Sequence, residues 1–243
     1  MIKKALYSGL IFLIIFVVAF YYYGRSIWVP VYKKYTGLAT LVSVYKKYGI
    51  QAEARLIPYF KKAGVTYPPT KIKLLVMKSE RLMELWARSE TDSPFVKIRQ
   101  FKVRAASGQP GPKLKEGDKQ VPEGIYKIIA LNPNSSFHLS MMLNYPNEFD
   151  KKYAKKEGRL YPGSNIFIHG KALSVGCLAM GDVAIEELFV LIYKSGIQNI
   201  KVIIAPYDPR KVPLVVGKNT PLWLAELYKE VAREFAGHRN DSL

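Results

Sequence analysis

The residues best suited to covalent chemistry lie in one run, Ile166-Phe167-Ile168-His169-Gly170-Lys171-Ala172-Leu173-Ser174-Val175-Gly176-Cys177-Leu178-Ala179-Met180. An apolar segment delivers His169, Gly170 lets the chain turn, and eight residues after the histidine Cys177 follows Gly176 and leads toward a helix. A thiol attacks as the thiolate, which a nearby imidazole can generate or hold. A small residue before it lets backbone N–H groups face a developing oxyanion. Gly176 meets that need, the N–H of Cys177 is a donor of the right kind, and Ser174 can orient the imidazole or bind substrate. Taken singly, a free cysteine more often packs than reacts, and a histidine at a strand end is commonly structural. The pair gains weight from its joint occurrence and flanking glycines. The chain also reads as exported, where an unpaired thiol is a liability.

Other residues set the bounds. Cys177 is the one cysteine, so no intramolecular disulfide is possible, and three histidines nearly exclude a zinc site built from several Cys and His ligands. His138, His169 and Cys177 contain the right atom types for zinc, but their spacing does not support a site. His138 is also a candidate substrate contact, placed by period-two alternation opposite Phe137, Leu139, Met141 and Leu143. Arg104, Lys113, Arg159 and Lys171 could hold substrate carboxylates, although scattered cations usually form a solvated face. His238 falls in a polar C-terminal tail. Lys and Arg number 37 against 19 Asp and Glu, a net charge of +18, which points to an anionic partner. No nucleic-acid-binding motif is present, so nucleic acid is not expected.

These residues need elements to hold them. Lys3 and Lys4 precede an uncharged run from Ala5 to Tyr23. As a helix it reaches roughly 28 Å, close to a hydrocarbon thickness. Tyr21, Tyr22, Tyr23 and Trp28 stand where an aromatic belt meets headgroups. An uncleaved transmembrane anchor fits better than a cleaved signal peptide, because the run is long and no small-x-small site follows. Arg25, Lys33, Lys34, Lys46 and Lys47 leave orientation open on charge alone.

Residues 33–64 read as helical, with Gly49 stopping a first run and a second from Gln51 to Ala63 interrupted at Pro58. Strands are expected at Ile72–Met77, Phe95–Val103, Gly124–Ala130, Phe137–Leu143, Ile166–His169 and Lys201–Ala205, with Arg81–Ala87 a hairpin strand or short helix. Residues 107–124 and 144–163 read as loops, the first long enough to suggest function. Helices are expected at Ala184–Tyr193 with Asp182 as N-cap, and at Thr220–Phe235 with Thr220 as N-cap. The division is 1–24 anchor, 25–66 helical neck, 67–210 catalytic domain, and 211–243 C-terminal helix and tail.

Ser174-Val175-Gly176-Cys177 after Ile168-His169-Gly170 resembles the signature of the L,D-transpeptidase (YkuD-type) catalytic domain, and more narrowly its YafK-like branch. Tyr59-Phe60-Lys61-Lys62-Ala63-Gly64, Tyr67-Pro68-Pro69, Leu85-Trp86-Ala87, Ala105-Ala106-Ser107-Gly108 and Gly111-Pro112-Lys113 fit that branch too. So do Glu116-Gly117-Asp118, Val121-Pro122-Glu123-Gly124-Ile125-Tyr126 and Asn144-Tyr145-Pro146-Asn147. Two departures from the wider family stand out. Val175 occupies the place of a second histidine, and Leu178-Ala179 leaves no arginine two residues after the cysteine. Both suit the YafK-like branch.

The resemblance implies an α+β, mainly β fold, a mixed β-sheet or sandwich, here with an N-terminal transmembrane helix, a helical neck and a C-terminal helix. It implies a Cys177 nucleophile served by His169, with Gly176, Ser174 and Gly170 around the oxyanion and no cofactor or metal. It also implies peptidoglycan stem peptides as substrate, attacked at the L-centre of diaminopimelate, or the link between a lipoprotein and the wall. The domain would then face the periplasm from the cytoplasmic membrane. A second class stays open: a non-catalytic, membrane-tethered protein that grips anionic wall polymer.

Overall fold

The computed structural model describes residues 2–218 and 220–238. The side chains of residues 1–6, Lys3 and Lys4 among them, lie outside that description. Helices α1 (Ile2–Tyr23), α2 (Arg25–Thr36) and α3 (Leu41–Lys62) precede β1 (Lys71–Met77), β2 (Leu82–Arg88), β3 (Val96–Lys102), β4 (Ala105–Ala106), β5 (Gly124–Asn132) and β6 (Ser140–Leu143). Then come α4 (Glu148–Lys156), β7 (Phe167–His169), β8 (Leu178–Ala179), α5 (Asp182–Ser195), β9 (Ile200–Ala205) and α6 (Leu224–Ala236).

Among the described residues nine strands form one mixed sheet, ordered β3-β2-β1-β9-β5-β6-β7-β8-β4. β5 is its corner. Gly124–Lys127 pairs with β9, the later half pairs with β6, and the register shifts between Ile128 and Ala130. An irregularity of this kind bends a strand and lets a sheet curl. Ile72, Leu74 and Val76 of β1 and Ile200, Val202 and Ile204 of β9 face the main core. Their alternates Leu75, Met77, Ile203 and Ala205 pack under α6 with Trp223, Leu227 and Phe235. Burial on both faces explains why these strands read as unbroken apolar runs.

Several expectations need correction. Gly49 and Pro58 do not break the neck, because α3 runs through both. Val44, Leu56 and Phe60 put that helix into the main core, and this packing outweighs the roughly 1 kcal/mol cost of a helical glycine. α3 thus packs into the same core as the sheet. The loop at 144–163 contains α4, whose Asn147–Asp150 capping box accounts for its start. Phe137 and His138 precede β6 in a turn, with His138 at φ 77°, so strand alternation does not place them. Cys177 leads into β8, not directly into a helix, and Asp182 is the first residue of α5 while Gly181 caps it. Thr220 bonds Gly217 O at 2.7 Å, and α6 begins four residues later after Trp223. His238 is 2 % exposed, packed on Trp86 and Phe95, so it is no part of a free tail.

α1 is exposed and apolar along its described length, from Tyr7 through Tyr23. Among the described residues no single helix is long and apolar enough to cross a membrane. Tyr7–Tyr23 and Arg25–Thr36 meet the criterion only together, bent by 78°. At the bend sits Gly24, where an added Cβ would lie 2.7 Å from Phe20 O.

Candidate active site

His169 ends β7, and β7 runs parallel to β8 with Ile168 opposite Leu178 and His169 opposite Ala179. That register sets Cys177, one residue before β8, beside Phe167. The Phe167 N–H donates to Cys177 Sγ at 3.4 Å, and the thiol reaches toward Asn165 O at 3.8 Å. Cys177 and His169 line one cavity of about 420 Å³. No hydrogen bond joins them among the described residues.

The imidazole is 4 % exposed and packs against Phe137, ring centres 4.9 Å apart. Its Nδ1 lies 2.6 Å from Gly170 O, an acceptor, so Nδ1 carries the proton and Nε2 the lone pair. Gly170 cannot be larger: a Cβ would stand 2.7 Å from Phe137 O and 2.9 Å from Asp182 Oδ1. Burial lowers the pKa of His169 below the ordinary imidazole value, against the Gly170 carbonyl, which raises it. Burial raises the Cys177 thiol, with the Phe167 N–H and the charge of Lys113 offsetting part. Burial thus disfavours the charged form of both groups.

The loop before the cysteine is held from inside. Ser174 Oγ accepts the Cys177 N–H at 3.0 Å and donates to Cys177 O at 2.6 Å. Gly176, at φ +88°, donates its N–H to Ser107 Oγ at 2.5 Å. Both N–H groups expected near an oxyanion are thus bonded to serine hydroxyls in the resting site. Ser174 serves this loop and makes no bond to the imidazole.

The other sequence candidates scatter. His138 Nε2 meets Glu186 Oε1 at 2.9 Å and its ring stands edge-on to Tyr48, so it faces α3 and α5. It does not join His169 and Cys177, and no cluster among the described residues is arranged to hold a metal. Lys113 is buried, bonded to Asp118 Oδ1 at 2.6 Å, and acts on the thiol through its charge. Arg159 ties Glu157 and Leu114 O together at the end of α4. Arg104 and Lys171 line a groove of about 660 Å³ that shares Tyr22, Phe137 and Leu173 with the thiol's cavity.

Sequence reasoning missed two contributors. Ser107 reaches the site from 69 residues away; its segment Ala105-Ala106-Ser107-Gly108 fits the family branch and opens a long glycine- and proline-rich loop, but neither signal gave the hydroxyl a role. Tyr22, Tyr23 and Ser26 line the cavity from the α1–α2 junction, though the tyrosines suggested only a membrane belt. α2 is fastened there by Arg25 Nε to Ser136 O at 2.8 Å and Lys33 Nζ to Ser135 O at 3.2 Å. Asn134 exchanges two hydrogen bonds with the Ala39 backbone, at 2.9 and 2.8 Å.

Comparison with known proteins agrees with the resemblance read from the motifs. Residues 71–204 match the model of the L,D-transpeptidase catalytic domain, YkuD. The YafK protein of Escherichia coli (strain K12) is 28% identical over 141 residues, 56% of this chain and 54% of that relative. The chain thus spans about half the length of the curated relative it matches. Among solved structures, the helical cell shape determining protein Pgp2 from Campylobacter jejuni aligns at TM-score 0.46 and 19% identity, over 62% of this chain and 55% of that one. Bd1075 of Bdellovibrio bacteriovorus aligns at 0.42 and 20%, over 70% and 56%. With the family model covering more than half of its length, and with the His169–Cys177 signature inside the matched segment, the chain belongs to the L,D-transpeptidase (YkuD) catalytic domain family.

Proposed function

We propose that this protein is a cysteine acyltransferase or amide hydrolase of the bacterial cell wall, acting on peptidoglycan stem peptides. The observation that carries this reading is the shared cavity, lined both by His169, whose Nδ1 is taken up by Gly170 O, and by Cys177, whose thiol is partly accessible. Nε2 takes the thiol proton as Sγ attacks the carbonyl at the L-centre of the third stem residue, the bond type that family membership suggests. The C–N bond then breaks, the leaving amine receives the proton from Nε2, and a thioester remains on Cys177. An amine that attacks the thioester yields a crosslink, and water yields a trimmed peptide.

Stabilising the tetrahedral oxyanion calls for free N–H donors, worth roughly 3–4 kcal/mol where measured. The N–H groups of Gly176 and Cys177 serve once substrate displaces the Ser107 and Ser174 hydroxyls. A wall-linked lipoprotein is a further substrate of the same bond type. α1 anchors the chain in the cytoplasmic membrane, with the bend at Gly24 beginning the external part and the domain in the periplasm.

The test is incubation of the full chain with defined muropeptides, with and without an amine acceptor. Chromatography is expected to show crosslinked or trimmed products, absent for Cys177→Ala and lowered at least 100-fold for His169→Ala. A carbapenem is expected to add its mass to the intact protein at Cys177. Unchanged muropeptides and no adduct would sink the enzyme reading. Salt-sensitive sacculus binding that survives Cys177→Ala would then favour a wall-gripping protein.

A further inference from the structure

The groove beside the thiol's cavity is chemically unlike it. Five cationic side chains line it, Arg25, Arg99, Lys102, Arg104 and Lys171, against the two carboxylates Asp182 and Glu187. Both carboxylates are already engaged, Asp182 by Lys171 at 2.5 Å and Glu187 by Arg99 at 2.5 Å. Lys102 and Arg104 are exposed, and their side chains make no hydrogen bond or ion pair among the described residues. Arg25 gives its Nε to Ser136 O and lays its guanidinium 5.1 Å over the Trp28 ring, so its terminal nitrogens stay available. Apart from Gln100, the rest of the wall is mainly apolar, with Tyr21, Phe101, Leu173 and Val183 among its members. The groove opens at the last turn of α1, where the exposed apolar surface of that helix ends.

We propose that this groove binds the phosphodiester headgroup of an anionic phospholipid from the bilayer that holds α1. The proposal rests on the membrane anchoring proposed above. A phosphodiester suits the free donors of Arg104, Lys102 and Arg25, since guanidinium and ammonium groups bond phosphate oxygens with charge assistance. The glycerol and first acyl carbons suit the apolar wall, and they continue toward the side of α1 that lipid would cover. A stem peptide fits less well. Its carboxylates could meet the same cations, but its amide groups would face Phe101, Leu173 and Val183 without partners. Arg104 and Lys171, expected from sequence to contact substrate carboxylates, thereby acquire a different ligand.

The full chain is purified in a neutral detergent and offered phosphatidylglycerol and phosphatidylcholine of identical chains in equal amounts. Native mass spectrometry is expected to show phosphatidylglycerol adducts at least five times as abundant as phosphatidylcholine adducts. The double variant Lys102→Gln/Arg104→Gln is expected to bring that ratio near one. Lys155→Gln/Lys156→Gln, on the exposed face of α4, is expected to leave it unchanged. A wild-type ratio near one overturns the proposal whatever the variants do. So does equal loss of preference in both double variants, which would mean diffuse charge attraction. Displacement of the lipid by millimolar inorganic phosphate would identify a free-phosphate site instead, and displacement by a muropeptide would return the groove to the substrate; either result overturns the lipid assignment. Carbonate extraction of membranes separates the two layers of inference. A chain that stays with the membrane but shows no lipid preference loses only the groove assignment, whereas a chain released to the supernatant loses the anchor and the groove together.

Discussion

Burial moves Cys177 and His169 in opposite directions on the pH scale, the thiol up and the imidazole down. A preformed thiolate–imidazolium pair would react with alkylating agents over a wide, mildly acidic range. A pair whose charged forms burial disfavours behaves otherwise. Iodoacetamide labelling of Cys177, followed by intact mass, is expected to be slower at pH 7.5 than for a free thiol and still rising above pH 9. The acid limb of kcat/KM is expected below pH 6.5, where the lowered imidazole finally takes its proton. Rapid labelling at pH 6 would refute this account. Gly170 bears on the same atoms, since its carbonyl fixes the imidazole tautomer and its missing side chain leaves room for Phe137 O. Gly170→Ala is expected to displace the ring or the turn at Phe137 and to lower kcat/KM about 100-fold, as small misplacements do. Thermal melting checks that the variant folds.

Among the elements, the loop between β4 and β5 matters most because it supplies Ser107 to Gly176. Lys78 holds that loop from beneath, bonding Gln109 O, Gly111 O and Val121 O at 3.0–3.3 Å and Glu123 Oε1 at 2.9 Å. Glu123 also takes the Gly111 N–H and the Tyr228 hydroxyl. Both side chains are almost wholly buried. Lys78→Met strands the carboxylate and is expected to lower the unfolding free energy by about 3–5 kcal/mol, read from urea titration. Proteolysis is expected to begin within residues 107–123. β1 and β9 were readable because their apolar runs survive in the sequence, whereas β4 and β8, two residues each, are too short to leave a pattern. α4 was hidden by its charge, though Asn147 and Asp150 spelled its capping box. α3 was split in two because glycine and proline signal breaks locally, whereas Val44, Leu56 and Phe60 bind the helix to a core that no local pattern reveals. At the proposed site, His169 and Cys177 stand out by type and spacing, and the structure brings both to one cavity. The Gly170 carbonyl does not stand out, since every residue has one. Ser107 depends on a fold that brings distant chain together.

At the scale of the whole molecule, the segment between α1 and β1 is held to the sheet by the packing of α3 and by the Arg25 and Lys33 hydrogen bonds of α2, and one end of it forms a wall of the cavity that holds the thiol. A cysteine introduced at Ser26 is expected to join Cys177 through a short bis-maleimide within a single chain. The same reagent is expected to fail with Tyr35→Cys, where the native side chain is 84 % exposed and outside that cavity. Because Cys177 is the only native cysteine, the linked product is unambiguous by mass. Linking is expected to abolish activity on muropeptides. Failure of Ser26→Cys to link would remove the neck from the site.

The bend at Gly24 and the docking of α2 have a consequence for reach. A catalytic domain on a slack tether samples a depth of wall set by the length of its linker. Here Tyr22 and Tyr23 end the apolar helix and line the thiol's cavity at once. With α1 seated in a bilayer and the activity as proposed above, the thiol's altitude above the lipid is fixed by packing, and its reach is confined to one thin stratum of wall that must pass through it.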